Sequence, residues 1–222
     1  MKLYHGTTEK VARRALEVGL QPREEQEGNW KHTVEGGADR VYLTNSYAGY
    51  FAGCAAQEGE RWGIVEVDVE ALDELWLVPD EDFLEQASRG DVNGPPGSMI
   101  ERTVWFRDHI KVFQGHWKLS LELLGNCAYM DEIPPEAISK VAIYNPSGDN
   151  PMGWMAMDPV ICLMNYKICG EKYRALTRWF VGELVEPEVL FGYSWLAMNE
   201  KQRAEAAKIC SDRSQLEVLV NK

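Results

Sequence analysis

The two stretches Leu3-Tyr4-His5-Gly6-Thr7 and Val41-Tyr42-Leu43-Thr44 decide the fold. Both are predicted to be strands. Between them, apolar residues recur at helical spacing from Val11 to Val18, and Thr7 or Thr8 can cap this helix by accepting a backbone N–H. Gly19 supplies the left-handed residue that closes a helix. The sequence therefore predicts a strand, a helix, a polar loop and a second strand up to Thr44.

His5, Gly6 and Thr7 are chemically suited to contact a sugar. A residue without a side chain permits close approach of the backbone, and a neutral imidazole offers one donor and one acceptor to a diol. Thr7 adds a hydroxyl group beside them. A histidine before a glycine at a strand end is more commonly a turn residue, so it is the pairing of this segment with the Tyr42 segment that favours a site.

A helix is predicted to begin at Asn45 or Ser46. Tyr42, and with it Tyr50 on this helix, offers a ring that can stack on a flat heterocycle, with a gain of about 0.5 to 1.5 kcal/mol per pair beyond burial. Tyr47 and Phe51 instead have the spacing of a core face, so we interpret them as packing residues.

Together these segments resemble the first two signature strands of the ADP-ribosyltransferase superfamily, over residues 3 to 144. In that superfamily the histidine bonds a ribose hydroxyl of NAD, and the following glycine lets the backbone reach the nicotinamide amide. The resemblance implies an α+β fold with an ADP-ribosyltransferase-like small split β-sheet, flanking helices and a helical C-terminal extension. It also implies that NAD is a substrate, bound by His5, Gly6, Thr7, Tyr42, Asn45 and Tyr50, with His5 and Tyr42 also in the catalytic group.

A third segment, Asn126 to Asp131, loosely resembles the late catalytic strand of the superfamily, but it places Cys127 where the catalytic glutamate would be. Cleavage of the nicotinamide bond develops positive charge on the ribose, which a carboxylate stabilises. Glu122 and Glu132 flank this strand and are the candidate catalytic carboxylates, although each is more commonly a surface charge.

The expected activity is therefore cleavage of NAD and transfer of ADP-ribose to a protein or nucleic-acid acceptor. One alternative is an RNA 2′-phosphotransferase-like enzyme, since the tRNA 2′-phosphotransferases share the fold, His-Gly-Thr and a pair like Gly19-Leu20. Those enzymes usually carry histidine where this chain has Tyr42, which makes phosphate transfer the weaker expectation. A non-catalytic NAD- or ADP-ribose-binding protein and an acidic inhibitor of a basic partner also remain open.

Composition excludes several classes of protein. The chain has 222 residues, 45% of them hydrophobic, and five cysteines without a Cys-x-x-Cys pair, which indicates neither a disulfide framework nor a zinc site. We expect no metal, no membrane span, no signal peptide and a cytoplasmic location. The net charge of −12 is concentrated in residues 1–150, with 26 acidic against 14 basic residues. This acidity argues against non-specific binding of nucleic acid.

Residues 1–150 are predicted to be the NAD-binding domain, and residues 151–222 a helical extension packed on it, with buried area from Trp154, Trp179 and Trp195. One stretch of the extension is basic: Lys167, Lys172, Arg174 and Arg178 are opposed only by Glu171. It is either a phosphate contact or, more commonly, a solvated helix face.

Three further predictions concern the middle of the chain. Residues 61–69 alternate as a strand, with Glu66 and Asp68 on its wet side. Asp80, Glu81 and Asp82 are interpreted as the start of a helix that runs to Ala87. A second helix is predicted from Asp108 to Leu124, on which His109 and His116 are structural or exposed.

Overall fold

Seven antiparallel strands form the sheet of this protein in a computed structural model that describes residues 1–22, 37–83, 97–158 and 166–221. The spatial order is β4-β5-β2-β1-β3-β6-β7. The strands are β1 (Lys2–Thr8), β2 (Val41–Thr44), β3 (Trp62–Asp68), β4 (Leu77–Pro79), β5 (Asn126–Tyr129), β6 (Ile138–Tyr144) and β7 (Leu216–Val220). The α+β class is confirmed.

Helices cover both faces of the sheet. Within the described residues they are α1 (Glu9–Val18), α2 (Ala48–Ala55), α3 (Met99–Asp108), α4 (Trp117–Leu124), α5 (Met152–Ala156), α6 (Tyr166–Phe180), α7 (Pro187–Phe191), α8 (Tyr193–Ala197) and α9 (Glu200–Ser211). As predicted, Thr8 caps α1, accepting the N–H of Val11 at 3.4 Å, and Gly19 ends the helix with a φ of 75°. Among the described residues, none of these helices combines the length and apolar character needed to cross a membrane.

Among the described residues, the buried apolar side chains form three clusters. On one face, the common core contains residues of six strands together with Ala12 and Ala15 of α1; it includes Leu3, Leu43, Val65, Leu77, Cys127 and Val141. The other face carries two separate clusters. The tyrosine-rich core lies over β1, β3 and β6 and includes Tyr4, Tyr47, Tyr50, Tyr144, Tyr166 and Trp179. The small core lies over β4 and β5 and consists of Val78, Phe83, Phe106, Ile110, Leu124 and Ala128.

The weakest junction of the sheet lies between β1 and β2. β1 pairs with β3 along its whole length, from Lys2–Asp68 to Thr8–Trp62, but it pairs with β2 only at Tyr4–Thr44. We call this junction the seam. On one face, the tyrosine-rich core and the small core lie on opposite sides of the seam, whereas the common core on the other face spans it. The predicted split sheet is thus one hydrogen-bonded sheet with a seam.

The segment 151–222 is not wholly helical, which corrects the prediction for this part of the chain. Residues 216–220 form β7, which pairs with β6 from Tyr144–Leu216 to Lys140–Val220. Glu217 on this strand accepts a hydrogen bond from Arg13 of α1 at 2.6 Å. Trp179 is fully buried, as expected, whereas Trp154 is 76% exposed and contributes little core area.

Two other predictions were wrong in detail. Glu66 is buried rather than wet, because the tyrosine-rich core covers that face of β3; Lys140 lies 3.2 Å from its carboxylate. The helix predicted over 108–124 is instead a 3₁₀ segment (Ile110–His116) followed by α4, and the backbone bends at Phe113. The predicted end of the 80–87 helix lies outside the described residues.

Candidate functional site

His5 and Tyr42 meet at the seam. The antiparallel register set by Tyr4 and Thr44 would place Gly6 opposite Tyr42, but the pairing stops before that point. Instead, Nδ1 of His5 lies 2.8 Å from the backbone carbonyl of Tyr42. The His5 side chain therefore contacts a Tyr42 carbonyl oxygen that a longer β1–β2 ladder would use. The pairing of the two strands ends next to this contact.

The phenol of Tyr42 is held on the small-core side of the sheet. Its hydroxyl donates to Glu81 Oε1 and accepts the backbone N–H of Gly37 at 2.7 Å. Burial, followed by the charge of Glu81, raises the pKa of Tyr42 well above its usual value. The hydroxyl is thus protonated at neutral pH and fixed in orientation, and the imidazole of His5 contacts the Tyr42 backbone rather than facing the phenol.

Glu81 belongs to a cluster of buried charges that the sequence did not reveal. Arg40 is only 4% exposed and lies 4.0 Å from Glu81 Oε2, with Asp39 at 2.8 Å on its other side. Among the described residues, Arg40 Nη1 and Glu81 Oε2 have no hydrogen-bond partner. Burial, with the neighbouring Asp82 and Glu81, raises the pKa of Asp80. The available signal was that a short apolar stretch of sequence, residues 75–79, runs directly into the acidic triplet.

Gly6 lies against helix α2. A Cβ atom at this position would be 2.1 Å from the carbonyl oxygen of Ala48 and 2.6 Å from the nitrogen of Ala52. Because glycine has no side chain, α2 can pack directly on β1 at this position. Thr7, the next residue of the motif, is 7% exposed.

Tyr50 and Tyr42 lie in different clusters. Tyr50 is 7% exposed and packs in the tyrosine-rich core, whereas Tyr42 packs against the small core across the seam. Burial, with a contribution from Cys54, raises the pKa of Tyr50 to about 12. Tyr47 is buried in the same cluster, as its spacing predicted.

Asn45 and Glu122 are brought together in a cavity of about 640 Å³. Asn45 follows β2, and its backbone N–H donates to the backbone carbonyl oxygen of Gly125 at 2.9 Å. Glu122 is exposed on α4, in the last turns before β5. The described lining is Met1, Asn45, Lys118, Leu121, Glu122, Tyr166 and Arg174. Two of the predicted site residues therefore line one cavity, a few residues from the seam.

The other residues considered for catalysis lie elsewhere. Glu132 is exposed on the turn that follows β5. Cys127 is fully buried in the common core opposite Leu43, and burial raises the pKa of its thiol. The cysteine that the resemblance places at the catalytic position is therefore a packing residue in this sheet.

The described residues contain no cluster of three or more metal-ligating side chains. His109 stacks on Trp105, with ring centroids 4.4 Å apart, and its Nδ1 lies 2.8 Å from the Trp105 carbonyl. His116 packs beside Phe83 and Phe113. Both histidines are structural or exposed, as the sequence predicted.

Comparison with known proteins identifies no family. No protein-family model matches the chain, and no curated protein matches it. Among solved structures, one similar chain is titled EcPltA, with 9% sequence identity and a TM-score of 0.34, covering 65% of this chain and 75% of that one. A likeness this weak carries no weight in assigning a function.

Proposed function

We propose that the protein cleaves NAD and transfers ADP-ribose to a macromolecular acceptor. The observation that carries this proposal is the contact of His5 with Tyr42 at the seam, where β1 and β2 separate. His5 of the first signature segment contacts the backbone of Tyr42 in the second, although the two residues are 37 positions apart in sequence. The β1–β2 ladder stops at Tyr4–Thr44, and backbone groups at a strand edge can donate to and accept from a sugar or an amide.

The proposed reaction breaks the bond between nicotinamide and the ribose. Nicotinamide leaves with the bonding electron pair, positive charge develops on the ribose, and an acceptor nucleophile attacks that carbon and loses a proton. Glu122 is the candidate carboxylate that shares a cavity with Asn45. Glu81 acts through Tyr42, because its carboxyl group accepts the phenolic hydrogen bond, so we assign it a positioning role.

A second candidate function is binding of NAD or ADP-ribose without turnover. The buried thiol of Cys127 favours it, because this position provides no carboxylate next to the seam. The two functions share the binding site and differ in turnover: only the transferase releases nicotinamide and modifies an acceptor.

The test uses NAD labelled in either the nicotinamide or the adenylate group, incubated with the purified protein and a cell extract. Transfer predicts release of labelled nicotinamide and incorporation of the adenylate label into protein or nucleic acid. His5→Ala and Tyr42→Ala should abolish both signals, and Glu122→Gln should lower the release rate more than Glu132→Gln. His109→Ala is the matched control, because that histidine is exposed.

The possible results separate the interpretations. Binding of NAD by calorimetry without nicotinamide release supports the non-catalytic function. If the protein neither binds NAD nor releases nicotinamide, both functions are ruled out. Capture of a basic protein that survives the His5→Ala and Tyr42→Ala double substitution supports the acidic inhibitor. Transfer of a 2′-phosphate from RNA to NAD supports the RNA 2′-phosphotransferase-like activity.

A further inference from the structure

The cavity beside Asn45 carries cationic side chains although the protein as a whole has a net charge of −12. Lys118 of α4 and Arg174 of α6 line it, and Glu122 is the one carboxylate among its described lining residues. Its volume of about 640 Å³ is within the range of small-molecule sites. The local balance of charge thus favours an anionic ligand.

Arg174 is oriented by buried polar groups. Its Nη1 donates to the hydroxyl of Tyr166 at 2.7 Å, and its guanidinium lies over the Tyr166 ring, 5.6 Å from the centroid. The Tyr166 hydroxyl donates to Asn45 Oδ1 at 2.8 Å, and Ser46 Oγ donates to the same oxygen at 2.6 Å. Tyr166 is only 6% exposed, so this chain of hydrogen bonds has a rigid base.

The guanidinium keeps donor capacity for a ligand. Arginine has five N–H donors in a planar fork, and the bond to Tyr166 uses one of them. Within residues 1–22, 37–83, 97–158 and 166–221, no carboxylate forms an ion pair with Arg174. Lys118 pairs with Glu74 at 2.8 Å, but both side chains are more than 60% exposed. Such a surface pair contributes little stability, so an anionic ligand can replace it at small cost.

We propose that this cavity binds the phosphate group of a nucleotide, with Arg174 as the forked donor and Lys118 as a second cation. Planar guanidinium groups match phosphate oxygens in bidentate geometry. Asn45 lies three residues beyond Tyr42, roughly 10 Å along an extended chain, so a ligand at the seam can extend to it. The inference rests on the proposed function for the choice of a nucleotide, and two sources share the chemistry: the diphosphate of NAD and a phosphate of the acceptor.

The first experiment measures binding by calorimetry. ADP and inorganic pyrophosphate should bind, whereas adenosine should bind at least about tenfold more weakly, because charge-assisted hydrogen bonds to phosphate are lost. Arg174→Gln should weaken ADP binding by about tenfold or more, and Arg174→Lys less, since it keeps the charge but not the fork. Arg178→Gln is the matched control; Arg178 lies one turn further along α6, pairs with Glu183 at 2.6 Å and does not line the cavity.

A competition experiment distinguishes the two sources of phosphate. If the cavity holds the diphosphate of NAD, pyrophosphate competes with NAD, and Arg174→Gln weakens NAD binding as much as ADP binding. If it holds a phosphate of the acceptor, pyrophosphate and NAD bind together, and the substitution leaves NAD affinity unchanged while lowering transfer to a phosphorylated acceptor.

The inference and the proposed function fail in different ways. Equal binding of ADP by the wild type, Arg174→Gln and Arg178→Gln, or no binding of ADP and pyrophosphate at all, overturns the phosphate site even if nicotinamide is released. Arginine-dependent binding without nicotinamide release supports the site and counts against the transferase. Melting temperatures of the variants, measured in parallel, show whether a loss of binding reflects loss of the fold, and Arg174→Lys supplies the comparison if Arg174→Gln unfolds.

Discussion

Replacing Gly6 by alanine should destabilise the protein even without a ligand. The added Cβ would lie 2.1 Å from the Ala48 carbonyl oxygen, and ordinary contact begins near 3.4 Å, so α2 must move away from β1 by about 1.3 Å. Both obstructing atoms, this oxygen and the Ala52 nitrogen, belong to the backbone of a helix, so no side-chain rotation relieves the clash. Overpacking of this kind typically costs about 1 to 3 kcal/mol.

The assay is thermal and urea unfolding of the unliganded protein, followed by circular dichroism. For a chain of this size, each 1 kcal/mol shifts the melting temperature by roughly 2 to 4 °C, so the expected decrease for Gly6→Ala is roughly 2 to 12 °C. Gly115→Ala is the control, because a Cβ there meets nothing within 4 Å. Its stability should be unchanged or raised by up to about 1 kcal/mol through the lower entropy of the unfolded chain.

A Gly6→Ala protein as stable as the Gly115→Ala control would refute this reasoning. It would mean that α2 does not press on β1 in solution and that the glycine serves only the approach of a ligand. Loss of stability with unchanged nicotinamide release in the remaining folded fraction would show the opposite, that packing alone requires the glycine.

Three further predictions concern buried polar groups. Asp80→Asn should raise the free energy of unfolding near pH 8, and this gain should vanish as the pH falls to 3.8, the ordinary pKa of an aspartate. Burial raises the pKa of Asp80, so its ionisation with rising pH destabilises the wild type. An equal gain at both ends of this pH range would contradict the prediction. Tyr42→Phe should cost about 1 to 3 kcal/mol in urea unfolding, because Gly37 and Glu81 lose their buried partner, and a cost below about 0.5 kcal/mol would count against this contact. In the native protein, iodoacetamide should alkylate Cys127 at least about tenfold more slowly than the partly buried Cys54. Burial raises the pKa of the Cys127 thiol and keeps the reagent away from it. Similar rates for the two cysteines would mean that the common core opens readily.

The elements predicted correctly are those with local signals. Helix α1 has a capping threonine, helical spacing of apolar residues and a closing glycine, all within a dozen positions. Strands β1, β2 and β3 carry apolar side chains at alternate positions or in short runs. Such signals depend on neighbouring residues, so the sequence alone is sufficient to locate these elements.

The features that were missed depend on distant contacts. Residues 216–220 form a short, mostly apolar run, but their place in the sheet as β7 depends on pairing with β6, 72 to 80 positions earlier. Glu66 shows the alternation of a half-exposed strand, and only the packing of the later helices buries it. Glu81 has the local pattern of a helix start, whereas its burial comes from contacts with Arg40 and Tyr42. Burial of a charge is set by tertiary structure, and a short stretch of sequence does not encode it.

The seam between β1 and β2 is where the sheet should open most easily, because these two strands share a single ladder pair. The common core spans it on one face. On the other face, the residues that follow β2 are tied to α6 by the hydrogen bonds of Asn45 with Tyr166 and of Ser46 with Thr177, so opening is local to the strand edges. Amide hydrogens beside the seam should then exchange with solvent through partial opening, at lower free energy than those of the fully paired β1–β3 ladder. A molecule that binds to both strands would stabilise the closed state and slow this exchange. Protection of the amide hydrogens at the seam therefore reports ligand binding independently of catalysis.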